Sequence, residues 1–179
     1  MQAESSTYNV IDFYSSTATP MPLEEISNLF SKADLKSEFF SLYVHVAEVF
    51  SNIYEHSVSD SAAAVGWSLT VSRCKGMLSV SISDNGQGVY SSISKRASKR
   101  LSRLEALALA LNQKNTPSHR GKGLQGLLKG VERGALTHFS IESDSYLFLA
   151  EPGISKYIRT AKKPGCKVVI ATELNGDSL

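Results

Sequence analysis

The chain has 179 residues, of which 42% are hydrophobic and 20% charged, and its formal net charge is +2 at pH 7. This composition excludes disordered and fibrous classes, and the small charge argues against a nucleic acid or a membrane as the dedicated partner. The length is enough for one well-buried core and short for two, so we expect a single domain over residues 1–179.

The compartment follows from what the sequence lacks. Its first ten residues do not show the basic start and apolar core of a signal peptide, and no apolar run approaches the roughly 18 residues that a membrane helix needs. Cys74 and Cys166 match no zinc spacing and are too few for a disulfide framework. We expect a cytoplasmic protein without a structural metal.

The predicted elements begin in an N-terminal extension, residues 1–22. Residues 8–14 have the composition of a short added strand, and the prolines that follow end any regular structure before residue 23. A first helix is predicted over about 23–33 from apolar residues at helical spacing. Ser37 has the side chain of a helix cap, and a second helix, the central helix, is predicted to follow it to about His56.

The central helix carries a polar stripe across an otherwise apolar surface. At about 100° per residue its polar side chains fall within roughly a 100° arc, and apolar side chains such as Val46, Val49 and Phe50 cover most of the rest. Unpaired buried polar groups are costly, so the stripe faces either solvent along one helix edge or a wet cavity, ligand or metal. The stripe consists of His45, Glu48, Asn52, Glu55 and His56.

A hairpin is predicted after the central helix. Apolar and polar residues alternate over 67–71 and again over 78–82, with a turn at 74–76 between them. Continuing the period of two places Asp84 on the same face as Ile82. A carboxylate at the end of a core-facing row is unusual, although Asp84-Asn85-Gly86 is also a favoured turn tripeptide.

The rest of the chain completes an α+β pattern. Consecutive strands joined by tight turns imply an antiparallel or mixed sheet with helices on one face, which is a two-layer sandwich. No GxGxxG or GxxxxGK[ST] motif follows a strand, so the Rossmann and P-loop folds lack their fingerprints. The predicted elements after Asp84 are a helix at 93–111, a polar glycine-containing loop at 112–123, a helix ending at Gly134, strands at 136–141 and 146–149, a connection, and a last strand at 166–171.

Five basic residues lie within the nine positions from Lys95 to Arg103. They are suited to phosphates or to an acidic partner. Because no aromatic residues are interleaved with them, a solvated helical face is the favoured interpretation.

Three motifs follow one another in a particular order: Glu48 and Asn52 on the central helix, Asp84-Asn85-Gly86-Gln87-Gly88 after a strand, and Gly121-Lys122-Gly123-Leu124 at a helix start. In this order and spacing, residues 37 to 173 resemble the Bergerat-fold, or histidine-kinase-like (GHKL), ATPases. That family includes histidine kinases, type II topoisomerases and anti-sigma-factor serine kinases. The resemblance implies a two-layer α/β sandwich with a mixed, mostly antiparallel sheet, and it implies ATP and Mg²⁺ as cofactors.

The resemblance assigns a role to each motif. It implies that Asp84 accepts a hydrogen bond from the adenine amino group, a charge-assisted bond worth about 1.5–3 kcal/mol. Gly86 and Gly88 would let the backbone approach the base. Asn52 corresponds to the magnesium-binding asparagine, and Glu48 to the residue that activates a water or a substrate hydroxyl.

The second glycine motif would receive the phosphates. The resemblance places free backbone N–H groups at this helix start, with Lys122 as an added charge, in a motif that consists of Gly121, Lys122, Gly123 and Leu124. Residues from about 90 to 120 would form a lid over the nucleotide.

Two positions depart from the family pattern. Gln125 replaces the third glycine of the second motif, and Cys166 stands where the family often has a threonine that helps to hold adenine. Losing that hydroxyl contact would cost about 1 kcal/mol.

The resemblance also narrows the type of protein. The roughly 40 residues before the central helix are too few for the dimerisation helices of a sensor histidine kinase, and we expect no transducer domain after the core. The architecture is therefore most similar to the stand-alone anti-sigma-factor serine kinases, which act on a separate partner such as a STAS-type protein. A homodimer is also compatible with the sequence.

Three hypotheses follow. The first is an Mg-ATP-binding regulator that phosphorylates a serine or threonine of a partner, or slowly hydrolyses ATP, with Glu48 as the base. The second is a non-catalytic module in which nucleotide sets the shape of the lid and so controls a protein interaction. The third and least favoured is a nucleic-acid-binding regulator that uses the residues from Lys95 to Arg103.

Overall fold

In a computed structural model of the protein, the structure describes residues 6–15, 23–32, 35–57, 65–95, 97–112 and 123–174. These residues form an α+β protein. The helices are α1 (Leu23–Lys32), α2 (Lys36–Asn52), α3 (Gly88–Ser94), α4 (Arg103–Asn112) and α5 (Gly123–Glu132), and a π-helical turn, Ile53–Ser57, continues α2. The strands are β1 (Ser6–Ser15), β2 (Val65–Cys74), β3 (Met77–Asp84), β4 (His138–Ser143), β5 (Tyr146–Glu151), β6 (Ile154–Arg159) and β7 (Cys166–Glu173).

The strands form one sheet in the order β1-β2-β3-β7-β4-β5-β6. Strands β2 to β7 form six adjacent strands, and β1 extends them at the β2 edge. Every pairing between the described strands is antiparallel, so the predicted mixed sheet is corrected to an antiparallel one. The added N-terminal strand is confirmed.

One face of the sheet is buried beneath the helices. Along β3, the residues Leu78, Val80, Ile82 and Asp84 are buried and alternate with partly exposed residues, most of which are serines. This alternation is the one that the sequence predicted. Helices α1, α2, α4 and α5 contribute side chains to the same hydrophobic core as this face, and the α2 ring of Phe50 lies edge-on to Trp67 of β2 at 4.6 Å.

The predicted helix over 93–111 is wrong, because the structure has two helices, α3 and α4, with an irregular segment between them. Helix α4 starts at a capping box. The Ser102 N–H donates to Glu105 Oε2 at 2.7 Å, and the Glu105 N–H donates to Ser102 Oγ at 3.2 Å. Arg100 and Lys99 therefore lie outside a helix, so the interpretation of residues 95–103 as one basic helical face is also wrong.

Three smaller expectations are corrected. Ser37 does not cap α2, because the helix already begins at Lys36 with Leu35 in the cap position. The second hairpin starts at His138 rather than at residue 136. The connection before the last strand contains a strand that the sequence analysis missed, β6, whose residues are all exposed and so lack the apolar alternation of a half-buried strand.

No helix in the described part of the chain combines the length and apolar character needed to cross a membrane.

Candidate functional site

The side chains of Glu48 and Asn52 lie next to each other on α2, one helical turn apart and both partly buried. The Asn52 side-chain nitrogen donates to the Glu48 carbonyl oxygen at 2.9 Å. This bond uses one of the two N–H groups of the Asn52 side-chain amide, and the amide oxygen is the acceptor of that side chain.

Helix α5 begins directly against these two side chains. A methyl group added to Gly123 would lie 2.6 Å from Asn52 Nδ2 and 2.9 Å from Glu48 Oε2, closer than any real Cβ contact. The structure thus brings Glu48, Asn52 and Gly123 together, and a larger residue at the start of α5 would displace the ends of the Glu48 and Asn52 side chains.

A second glycine continues this contact along the helix pair. A methyl group on Gly130 would lie 3.0 Å from His45 Cε1 and 3.0 Å from Leu136 Cδ1. Gly123 meets the C-terminal half of α2 and Gly130 meets an earlier turn, so the helices run antiparallel. Burial in this contact lowers the pKa of His45.

The π-helical turn starts immediately after Asn52 and runs from Ile53 to Ser57. π-helical turns are rare in proteins overall. Those that do occur lie frequently at functional sites. The turn changes the helical register between Asn52 and His56, which the sequence had placed on one regular stripe.

Asp84 ends β3 on the helix-covered face, as predicted, with 8% of its surface exposed. Its Oδ1 accepts a hydrogen bond from the Gly86 N–H at 2.8 Å, so Asp84 also closes its own turn. Asn85 attaches this turn to β2, because Asn85 Oδ1 accepts from the Gly66 N–H at 2.9 Å and the Asn85 N–H donates to the Gly66 carbonyl at 3.1 Å.

The residues before β7 pack against Asp84. Gly165 has φ +69°, and a methyl group there would lie 1.8 Å from the Asp84 carbonyl oxygen. Burial, and secondarily the nearby Asp84 carboxylate, raise the pKa of the Cys166 thiol to about 12, although a hydrogen bond with Ser143 opposes this rise. The thiol beside Asp84 is therefore neutral at physiological pH.

The turn between β4 and β5 caps α3. The Val89 N–H donates to Ser143 Oγ at 3.0 Å, and the Tyr90 N–H donates to Asp144 Oδ2 at 2.9 Å. Gly88 has φ +75°, and a methyl group there would lie 3.1 Å from both of these acceptors. Ser143 and Asp144 were not predicted from the sequence, because each lies 54 residues from its partner and no local pattern indicates the pairing.

A hydrogen bond links the two parts of the site: Gln87 Nε2 donates to the His56 carbonyl oxygen. The Asp84 turn is thereby attached to the π-helical turn that follows Asn52.

The remaining predictions concern the second glycine motif, the lid and the metal site. Leu124 packs against the hydrophobic core. Gly121 and Lys122 lie outside the described residues, as do positions 113–120 of the predicted lid. The described residues contain no group of three or more histidine, cysteine or acidic side chains suited to a metal.

No protein-family model and no curated protein sequence matches the chain.

Proposed function

We propose that the protein binds Mg-ATP and acts on a separate protein partner, by phosphorylating a serine or threonine or by slow ATP hydrolysis. The observation that carries this proposal is the contact of Glu48 and Asn52 with Gly123 at the start of α5. The proposed fold is the Bergerat fold, which the order of the three motifs and the α+β architecture with helices on one face of the sheet both support. The antiparallel pairing of every described strand departs from the mixed sheet of that fold.

The side chains present fit such a ligand. Asn52 offers a neutral amide oxygen, a ligand that suits Mg²⁺ when phosphates supply most of the negative charge. The buried Asp84 offers a carboxylate acceptor for a purine amine. Gly123 has no side chain where the start of α5 approaches Asn52 and Glu48, so a phosphate held there would meet the backbone N–H groups of the helix start.

In this proposal, bound Mg-ATP supplies a transferable phosphoryl group whose charge the ion partly neutralises. Asn52 would hold the ion through its amide oxygen. Glu48, one turn earlier, would accept the proton of the attacking hydroxyl or water. The partner that best matches the expected architecture is a STAS-type regulator.

The purine role of Asp84 is tested by Asp84→Asn. An asparagine oxygen still accepts from the Gly86 N–H, so the turn persists while the charged acceptor is lost. We expect ATP affinity to fall about tenfold or more, because a charge-assisted hydrogen bond becomes a neutral one. Calorimetric titration with and without Mg²⁺ measures this effect, and unchanged affinity in a variant with unchanged melting temperature contradicts it.

The catalytic role of Glu48 is tested by Glu48→Gln. We expect phosphate release, or labelled phosphate transfer to a STAS-type partner, to fall about 10²-fold or more while ATP binding persists. The control is Glu55→Gln, an exposed carboxylate two turns along, which should retain full turnover. Equal turnover in the two variants rejects Glu48 as the base.

A second function is a nucleotide-dependent binding module without catalysis. The neutral thiol of Cys166 favours this function. A thiol forms weaker hydrogen bonds than the threonine hydroxyl expected at this position, so adenine would be bound less tightly. ATP binding without turnover, combined with an effect of ATP on partner affinity, selects this function.

A further inference from the structure

Strand β6, Ile154–Arg159, forms an edge of the sheet and pairs with β5. All six of its residues are exposed. A strand edge presents backbone groups to which another extended chain can bond.

The outward-facing backbone groups of β6 can be identified from one hydrogen bond. The Thr160 N–H donates to the Ser145 carbonyl at 2.8 Å, one position beyond the pair of Tyr146 with Arg159. Because bonded and non-bonded pairs alternate in an antiparallel ladder, every second residue from Thr160 backwards bonds to β5. The residues whose N–H and C=O groups point away from the sheet are Ser155, Tyr157 and Arg159.

The side chains of β6 combine apolar surface with positive charge. Ile154 and Ile158 are 56% and 39% exposed and lie on the same face as Lys156. On the other face Tyr157 contacts the buried ring of Phe148, with ring centroids 4.9 Å apart and ring planes tilted by 53°.

The positive charge of the β6 edge indicates which kind of strand would pair with it. Lys156 and Arg159 are exposed on β6, and Lys162 is exposed just beyond it. A second copy of the chain would bring the same cations to the same edge, and like charges across paired strands are destabilising. An acidic strand would be attracted by the same cations.

We propose that β6 is a docking edge for an extended acidic segment of a partner protein, which adds to the sheet beside β6. Its backbone would bond to Ser155, Tyr157 and Arg159. Its acidic side chains would lie on the face of Arg159, and its alternate apolar side chains would lie on the opposite face beside Ile154 and Ile158, where Lys156 adds positive charge to the same edge. This proposal does not depend on nucleotide binding.

The test uses a fluorescent, terminally blocked octapeptide of alternating glutamate and valine, titrated with the whole chain without ATP and followed by anisotropy. We expect saturable binding that weakens about tenfold or more in the double variant Lys156→Glu, Arg159→Glu. The control Lys129→Glu changes an exposed lysine on α5 and should bind like the wild type. The matching lysine–valine peptide should prefer the charge-reversed variant.

Ser155→Pro separates strand addition from simple charge attraction. It removes an outward N–H without touching the bonds to β5, so peptide binding should fall while the melting temperature stays close to that of the wild type. If this variant unfolds, amide exchange of the wild type replaces it, and the peptide should protect Ser155, Tyr157 and Arg159. The proposal is overturned if the wild type does not bind, if charge reversal has no effect, if those amides stay unprotected, or if sedimentation reveals a dimer held through β6.

Discussion

Gly123 lies where α5 and α2 approach each other, and the side chains that it contacts are the proposed ligand-binding ones. The glycine therefore has a packing role that is independent of any phosphate. A side chain at this position would push Asn52 and Glu48 out of place, so stability and ligand binding are coupled at this residue.

We expect Gly123→Ala to destabilise the protein by about 1 kcal/mol, because the new methyl group would displace the ends of the Asn52 and Glu48 side chains, which are partly exposed and can move. Gly126→Ala, in the same helix, is the matched control. A methyl group there meets nothing within 4 Å, so this change should be neutral or stabilising by up to about 1 kcal/mol. Urea unfolding of both variants measures the difference, and equal stabilities would show that the contact is not tight.

Cys166 should be almost unreactive towards iodoacetamide at pH 8. A thiol with a pKa of about 12 has a thiolate fraction on the order of 10³-fold below that of an ordinary cysteine. Cys74 is exposed, so labelling of Cys74→Ser should be far slower than labelling of Cys166→Ser. Mass spectrometry over time gives both rates, and similar rates in the two variants would exclude a buried thiol beside Asp84.

At the residue scale, the sequence predicted where Asp84 lies but not what it contacts. The alternation of β3 correctly placed it on the buried face, since the period of a strand is local information. Its neighbours Gly165 and Cys166 come from a strand more than 80 residues away, and no spacing in the sequence indicates that approach.

At the scale of elements, the antiparallel contact of α2 and α5 encloses a titratable group. His45 is partly buried against Gly130, and this burial favours its neutral form. The contact between the two helices should therefore depend on pH.

We expect the free energy of unfolding to fall as the pH drops below about 6.5. Burial lowers the pKa of His45, so below this pH the unfolded chain binds a proton that the folded protein resists. His45→Gln removes this linkage and should flatten the pH dependence. Urea unfolding at pH 7.5 and 5.5 compares the two proteins, and parallel losses of stability would mean that His45 titrates normally in the fold.

Element boundaries were predictable where periodicity alone sets them, and the predictions failed where a helix cap divides a periodic stretch or where a strand is fully exposed. The central helix, the first hairpin and the last strand follow from clear periodicity. The helix predicted at 93–111 has apolar residues at helical spacing throughout, yet the Ser102–Glu105 capping box starts a new helix inside it. Strand β6 was missed because a fully exposed strand has no buried face to impose a pattern.

At the scale of the whole molecule, the sheet is graded from a buried centre to an exposed edge. Strands β3 and β7 pair with each other near the centre, and β6 lies at one edge. The strand order could not be predicted from the sequence, because β7 inserts between β3 and β4 and these pairings join residues far apart in the chain.

Amide hydrogen exchange should follow this gradient. We expect the slowest exchange in β3 and β7, and within β6 an alternation in which Lys156 and Ile158 are protected while Ser155, Tyr157 and Arg159 exchange freely. Exchange followed by NMR resolves individual residues. Uniform protection along β6 would mean that its outer side is already paired, and uniformly fast exchange would mean that it does not stay bonded to β5.

The insertion of β7 also affects how the chain is assembled during synthesis. Strands β2 and β3 (residues 65–84) can pair locally, as can β4, β5 and β6 (residues 138–159). The outer sides of β3 and β4 stay unpaired until β7, Cys166–Glu173, binds between them. Until that strand emerges from the ribosome, the nascent chain exposes two unfinished β-structures with open flanks, which are prone to pair wrongly with each other or with neighbouring chains. A translational pause that leaves residues 138–159 outside the ribosome while residues 166–173 are still inside it should therefore lower the yield of native protein.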